Sequence, residues 1–289
     1  MLVPLAGGGQ ETLLSEVGSQ YLLPLFNTRD ACALRLVCRE FLAAVSEQPW
    51  EDRDTVIKGS ISAWRACFLR ARCANVRQWH YVPGIGLRTA SVVDADFVHF
   101  EGLRELNMFQ CYDVTDAAFA HLHGIHSLEI GCCASLTDAA IVHLAGIQQL
   151  SMFCCRGITD AAFVHLRGIQ LLNIMYCTQL TDAAFSHLRG IKTLFMGDCN
   201  QPAITDAAFV NLQGIRTLEM EGCSQATITG ATFSSLANAE VLCLQGCSVE
   251  VLEAAHGLDL PVPPRGIASL GGLACVLYPW RPLHAGPWN

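Results

Sequence analysis

The stretch Leu180–Cys199, LTDAAFSHLRGIKTLFMGDC, decides the fold because the chain keeps returning to it. Leu106, Leu128, Leu150, Leu172, Leu194, Leu218 and Leu242 hold one position of the repeat. Cys111, Cys133, Cys155, Cys177, Cys199, Cys223 and Cys247 hold another. The spacing is 22 residues four times and then 24 twice. Self-similarity at this period predicts a solenoid, in which each unit packs only on its neighbours.

Within each unit the line Ile-x-x-Leu-x-Met/Ile-x-x-Cys puts apolar residues at positions 1, 4, 6 and 9. The alternation at 4 and 6 is that of a short strand with one buried face. Thr-Asp then opens a helix as N-cap or first-turn anion. Ala-Ala keeps that helix slim, and Phe and Leu three residues apart face the core. A closing Gly supplies a left-handed C-cap. Strand, turn, short helix, turn is a leucine-rich repeat. The fold expected is an α/β solenoid, a leucine-rich-repeat arc with parallel strands on the concave side, roughly 4.8 Å apart, and short helices on the convex side. Seven copies span residues 92 to 247. The last is degenerate, with Gly230 for Asp, Asn238 for Gly and Ala239 for Ile, as expected near a cap.

The chain has 289 residues, 52% of them hydrophobic and 15% charged, which excludes general disorder. A net charge of −8 argues against nucleic-acid binding. No apolar run reaches the roughly 18 residues of a membrane span, and the first ten residues do not read as a signal peptide. The expectation is a protein of the cytoplasm or nucleus, not secreted. Its 15 cysteines are then thiols, and those of the repeat are small buried hydrophobes.

Two polar ladders invite a chemical reading. His99, His121, His143, His165 and His187 share one helical position, followed by Asn211 and Ser235. Metal ligands converge at about 2 Å, and a straight ladder does not converge, so no metal and no cofactor is expected. The imidazoles should instead meet carbonyls of the last helical turn. Asp94, Asp116, Asp138, Asp160, Asp182 and Asp206 read as capping carboxylates. Cys132 and Cys154 share an outward position on successive strands, within reach of a disulfide or simply two surface thiols. Neither a phosphate loop nor a nucleophile elbow is present, so no catalytic residue is expected and the chain reads as a non-enzyme.

Residues 11–55 have another texture. Leu13, Leu14 and Val17 suggest one short helix, and Tyr21, Leu22, Leu25 and Phe26 a second. Asp30 caps a third, which carries Leu34, Val37, Cys38, Phe41, Leu42 and Val45 at helical spacing. The string from Asp30 to Phe41, DACALRLVCREF, resembles the core of an F-box, matching at Leu34, Val37, Cys38, Arg39, Phe41 and, further on, Trp50. The usual Leu-Pro-x-Glu opening is absent, Gly18 falls where a helix is expected and Pro24 interrupts the next one. The remaining alternative is a helical cap on the solenoid.

An F-box ahead of cysteine-containing leucine-rich repeats resembles the F-box/leucine-rich-repeat family, the substrate receptors of cullin-RING (SCF-type) ubiquitin ligases. That resemblance covers about residues 11 to 247. It implies a small helical F-box domain binding a Skp-type adaptor, and through it a cullin scaffold, by way of Leu34, Leu36, Val37, Arg39, Phe41 and Trp50. Residues 56–91 read as a helical linker and irregular first repeat, with Ile61, Trp64, Phe68 and Leu69 at helical spacing and Val76, Trp79 and Tyr81 along a strand. Residues 248–289 read as a cap helix near Val251–Ala255 and a Pro/Gly-rich tail.

Positions 2, 3, 5, 7 and 8 of each repeat vary and should point out of the concave sheet. There Phe109, Phe153, Leu171, Met175, Tyr176 and Phe195 form an apolar cluster, and Asp198, Glu219 and Glu221 form an acidic end. Exposed aromatic and Met clusters mark interaction sites. They predict a protein substrate with an apolar anchor and a basic flank. Three function classes follow: a ligase substrate receptor, an interaction scaffold whose amino-terminal helices only cap the solenoid, and an enzyme, the last without a motif to support it.

Overall fold

The computed structural model describes residues 23–36, 39–78 and 91–258, together with the backbone of 269–270 and 273–274. The chain divides into two compact units, Met1–Ile147 and Gln148–Asn289.

The first unit starts with helices. A 3-10 turn at Leu23–Leu25 is followed by α1 (Thr28–Leu34), α2 (Arg39–Glu47) and α3 (Ile61–Cys67). Asn27, not Asp30, is the N-cap of α1, its side chain accepting from the Asp30 amide at 2.9 Å. The single helix expected from Asp30 onward is in fact two, because the chain leaves α1 at Arg35 and Leu36. Leu34 and Phe41 therefore sit on different helices. Trp50 closes the small core here. It is 2% exposed, its ring N–H donates to the Val45 carbonyl at 2.8 Å, and it meets Phe68 edge-on at 5.6 Å. Thr28 donates from its amide and hydroxyl to Asp52, at 2.7 and 2.8 Å. On α3, Ile61 and Trp64 face inward, as their spacing predicts. The helix expected around Leu13, Leu14 and Val17, and the positions of Tyr21, Leu22, Val37, Cys38, Trp79 and Tyr81, lie outside the described residues.

Strands β1 (Cys73–Asn75), β2 (Glu105–Asn107) and β3 (Ser127–Glu129) then pair in parallel, with Ala74, Leu106 and Leu128 in register. The second unit continues the pattern with β4 (Gln149–Ser151), β5 (Leu171–Asn173), β6 (Thr193–Phe195), β7 (Thr217–Glu219) and β8 (Val241–Cys243). Leu150, Leu172, Leu194, Leu218 and Leu242 are in register and buried. Burying one such side chain contributes about 1.5–3 kcal/mol, so this ladder alone makes the register hard to slip.

The helical side of most repeats is tighter than an α-helix. Asp94–Phe100, Asp116–His121, Asp160–Leu166, Asp206–Asn211 and Phe233–Leu236 are 3-10 helices. Only α4 (Asp138–Ile141) and α5 (Asp182–Phe185) complete an α turn. In the Thr-Asp-Ala-Ala copies the first backbone N–H to bond within the helix is that of the second Ala, which donates back three residues to Thr. Ala184 reaches Thr181 and Ala208 reaches Thr205, at 3.2 and 3.1 Å. A repeat this short leaves room for about two tight turns, and the 3-10 form completes them with fewer residues than an α-helix needs. Phe97, Phe119, Phe163, Phe185, Phe209 and Phe233 fill the interior. The closing glycine does take the left-handed conformation, as at Gly190 with φ 88°.

The last repeat meets its cap where the motif fails. Helix α6 (Val249–His256) is opened by Ser248, whose hydroxyl accepts from Val251 at 3.4 Å. A β-carbon at Gly230 would lie 2.3 Å from that of Ala254. Glycine replaces the usual Asp because the cap helix needs that space. Beyond it, β9 (Ser269–Leu270) and β10 (Leu273–Ala274) form an antiparallel pair, with β10 beside β8. Sheet register, helix side and buried ladders make both units leucine-rich-repeat solenoid.

Candidate protein-binding faces

Three ladders fix which side chains remain available to a partner. The carboxylate ladder does more than cap. Thr115, Thr137, Thr181, Thr205 and Thr229 are bound by the Asp of the preceding repeat. Asp182, for example, accepts from the Thr205 amide at 2.8 Å and from its hydroxyl at 2.6 Å. The Asp94–Thr115, Asp116–Thr137, Asp160–Thr181 and Asp206–Thr229 pairs repeat the arrangement. Threonine is the N-cap, its hydroxyl accepting from the amide two residues on. Aspartate is an inter-repeat staple.

The thiol ladder also ties repeats together. Cys133, Cys177, Cys199, Cys223 and Cys247 each donate to the carbonyl of the position-6 residue one repeat earlier. Cys199 reaches Ile174 and Cys223 reaches Met196, both at 3.1 Å. Burial pushes Cys111, Cys177 and Cys199 up to about 12, and Cys133 and Cys223 higher still. A thiol held protonated is a poor nucleophile. Among the described residues the cysteines are thiols, Cys132 and Cys154 included.

The histidines do not behave as expected. Instead of meeting the last-turn carbonyls, His121, His143 and His187 pair with the side chain two positions past the ladder in the preceding repeat. His121 is 2.7 Å from Glu101, His143 meets the His123 ring edge-on at 5.3 Å, and His187 accepts from Arg167 at 3.3 Å. Asn211 replaces His in the same role, accepting from Arg189 at 3.4 Å. The helices end in a left-handed glycine turn that already directs the carbonyls, so the ring finds a side chain instead. Among the described residues no group of His, Cys, Asp and Glu could hold a metal ion. None of their helices is long and apolar enough to cross a membrane.

The face expected to bind an adaptor is partly rearranged. Leu36 is 89% exposed and Leu25 80%. Arg39 is exposed, and Leu34 and Phe41 are half-buried. Trp50 does not belong to this face, because Phe68 and the Val45 carbonyl hold it inside. Leu25, Phe26 and Leu42 are exposed apolar residues of the same segment. Sequence reading assigned Leu25, Phe26 and Leu42 to helix faces and so missed that they look outward.

The strand face is more covered than the alternation implies. Phe195 is only 8% exposed, a correction to its place in the apolar cluster. It ends β6, between Asn173 of β5 and Glu219 of β7, where a large ring lies within the sheet surface. Ser151 and Cys243, at the same repeat position, are buried too. Position 7 sets glycine beside a bulky residue of the preceding repeat at Gly131 and Gly197. The Phe109 ring lies over Gly131 and the Met175 side chain over Gly197, so that a β-carbon there would be 2.9 and 3.1 Å from them. Phe109, Phe153, Leu171 and Met175 are half-buried.

Position 8 is where the side chains come forward. Gln110, Cys132, Cys154, Tyr176 and Asp198 all have φ between 54° and 61°, a left-handed bend that the repeat imposes and that Gly222 and Gly246 adopt at less cost. Tyr176 is 40% exposed and meets the Phe153 ring edge-on, at 5.3 Å and 87°. Its hydroxyl donates to Asp198, which pushes the phenol up to about 12, with burial and Glu221 adding to the effect. Asp198 lies against Gly222, where a β-carbon would be 2.4 Å from its Oδ1. Burial and the neighbouring Glu221 raise the pKa of Glu219. Asp198, Glu219 and Glu221 are half-buried. The structure thus joins Phe153, Tyr176, Asp198, Glu219 and Glu221 in one aromatic and acidic patch of the second unit.

No protein-family model and no curated protein matches the chain. Among solved structures it is similar to TLR13 in a TLR13–ssRNA13 complex, at 17% identity and TM-score 0.49, covering 65% of this chain and 26% of that one. It is similar to a chain of the Rad7 and Elc1 complex in yeast, at 14% identity and TM-score 0.47, covering 73% and 63%. The Toll–Spatzle complex of Drosophila gives 12% identity and TM-score 0.49, covering 72% and 31%. The chain thus spans less than two thirds of each of these proteins.

Proposed function

We propose that the chain is a non-catalytic substrate receptor of an SCF-type ubiquitin ligase. Its amino-terminal helices dock a Skp-type adaptor, and through it a cullin scaffold, while the strand face holds a protein substrate. The chain contributes proximity, raising the effective concentration of a substrate lysine near the ubiquitin-loaded enzyme. The Asp and Thr side chains of the ladders are engaged between repeats, and the buried thiols are held protonated, which fits a binding role in a reducing cytoplasm or nucleus.

The observation that carries the adaptor half is the exposure of Leu36 on the turn between α1 and α2, with Leu25 nearby in sequence. Exposed leucines on a short helical segment are expected where an apolar partner surface covers them. A second reading, an interaction scaffold whose helices only cap the solenoid, is favoured by Trp50 and Phe68, which turn inward as a cap would.

Copurification of a Skp-type adaptor with the full chain separates the two. The receptor reading expects the adaptor with wild type and a loss of about tenfold or more with Leu36→Glu, since central apolar contacts dominate such interfaces. Failure of wild type to retain any Skp-type adaptor would leave the scaffold reading.

A further inference from the structure

We propose that the strand face of the second unit seats an arginine side chain of its protein partner, stacked on Tyr176 and paired with Asp198. The inference deepens the proposed function and rests on its claim that this face takes a protein segment.

The apolar anchor expected from sequence is largely unavailable. Phe195 is buried, and Met175 lies across Gly197. What remains forward is the Tyr176 ring, set edge-on against Phe153, beside three carboxylates. The basic residues just before two of these strands are engaged elsewhere. Lys192 Nζ donates to the Gly214 carbonyl at 3.4 Å, and Arg216 Nε lies 3.7 Å from Glu240. Glu219 and Glu221, two residues apart on one strand face, repel each other and raise the Glu219 pKa on top of burial. A cation brought by a partner relieves that repulsion.

Arginine fits better than lysine. A guanidinium is planar, stacks on an aromatic face and presents a fork of donors to a carboxylate. Tyr176 offers the face, and its bond to Asp198 places the carboxylate at the ring's hydroxyl end. Glycine at 222 leaves the space that Asp198 occupies. An ammonium would gain the charge pairing but not the stacking.

The test uses the full chain with fluorescent hexa-arginine and hexa-lysine peptides, titrated by anisotropy. Asp198→Asn keeps the side-chain shape. Tyr176→Gln is tolerated by the backbone, because Gln110 adopts the same left-handed bend three repeats earlier. The arginine peptide should bind about tenfold tighter than the lysine peptide, and each variant should weaken it by about tenfold, a step of one unit in log Kd. Equal affinity for the two peptides, insensitive to Tyr176→Gln, would overturn the proposal in favour of a general acidic surface. Peptide binding that appears only when an arginine of the Pro/Gly-rich tail is removed, as in Arg281→Gln, would overturn it differently, by assigning the site to the chain's own arginine. Adaptor copurification is scored on the same variants. If the adaptor is retained while arginine shows no preference, the inference fails and the receptor reading stands. The reverse pattern sinks the receptor reading alone.

Discussion

From Asp94 to Thr229 one carboxylate-to-threonine pair is used again and again to join repeats. From Asn27 to Phe68 each contact has its own form: an Asn cap, a Thr28–Asp52 bridge, a Trp50 indole on a carbonyl, Arg35 on the Cys67 sulfur. The difference teaches where stability and specificity reside. In the repeats a role belongs to a position, so every copy supports its neighbours and only positions 2, 3, 5, 7 and 8 are left to vary. In the amino-terminal helices a role belongs to a single residue, and exposure there is not dictated by packing.

The comparison breaks most visibly if the interior is emptied. Phe185→Ala should cost about 3–5 kcal/mol in chemical denaturation, the usual range for a buried Phe, and so should Phe209→Ala, because both fill the same repeat position. A large cost at one and none at the other would mean the copies are not equivalent.

A smaller effect should follow when a staple is cut. Asp182→Ala leaves the Thr205 amide and hydroxyl without their acceptor, a loss of about 1.5–3 kcal/mol for bonds to a charged group. Asp160→Ala should match it. Smaller again is Leu36→Glu. Its side chain is largely in water, so thermal unfolding should move by no more than the roughly 0.5 kcal/mol of an ordinary surface change, even as adaptor binding is lost. Marked destabilisation would mean that Leu36 is part of a cap.

What could be read in the sequence follows the same division. Strand positions, the inward Leu, Phe and Cys ladders, the glycine turns and the cap helix after Ser248 were legible because a period averages over copies. The carboxylate ladder was visible, but its partner was not. Asp182 and Thr205 are 23 residues apart, and only stacking brings them together. The left-handed bend at position 8 was hidden because Gln, Cys, Tyr and Asp occupy it as well as Gly, so no residue type announced it. Burial of Phe195 was missed because alternation assigns a side of the sheet, not a depth within its surface. At the amino terminus there was no second copy to check against. A run with helical spacing from Leu34 to Val45 hid the break at Arg35 and Leu36, and the Trp50 that resembled a contact residue is held inside by Phe68.

The central claim is the register that turns the repeat cysteines inward and positions 7 and 8 outward. It is tested most directly by mapping thiol reactivity of the native chain by mass spectrometry across a pH series. Cys111, Cys133, Cys177, Cys199 and Cys223 should resist alkylation while exposed Cys32 reacts first. Their folded pKa values are raised above the unfolded value, so they bind more protons folded than unfolded as the medium turns alkaline. The stability they contribute is complete below the unfolded thiol pKa near 9 and falls as pH rises toward about 12. Protection should therefore hold at neutral pH and fail only in that alkaline window. Rapid labelling of most of these thiols at neutral pH would contradict the register, and with it every residue placed on the binding face.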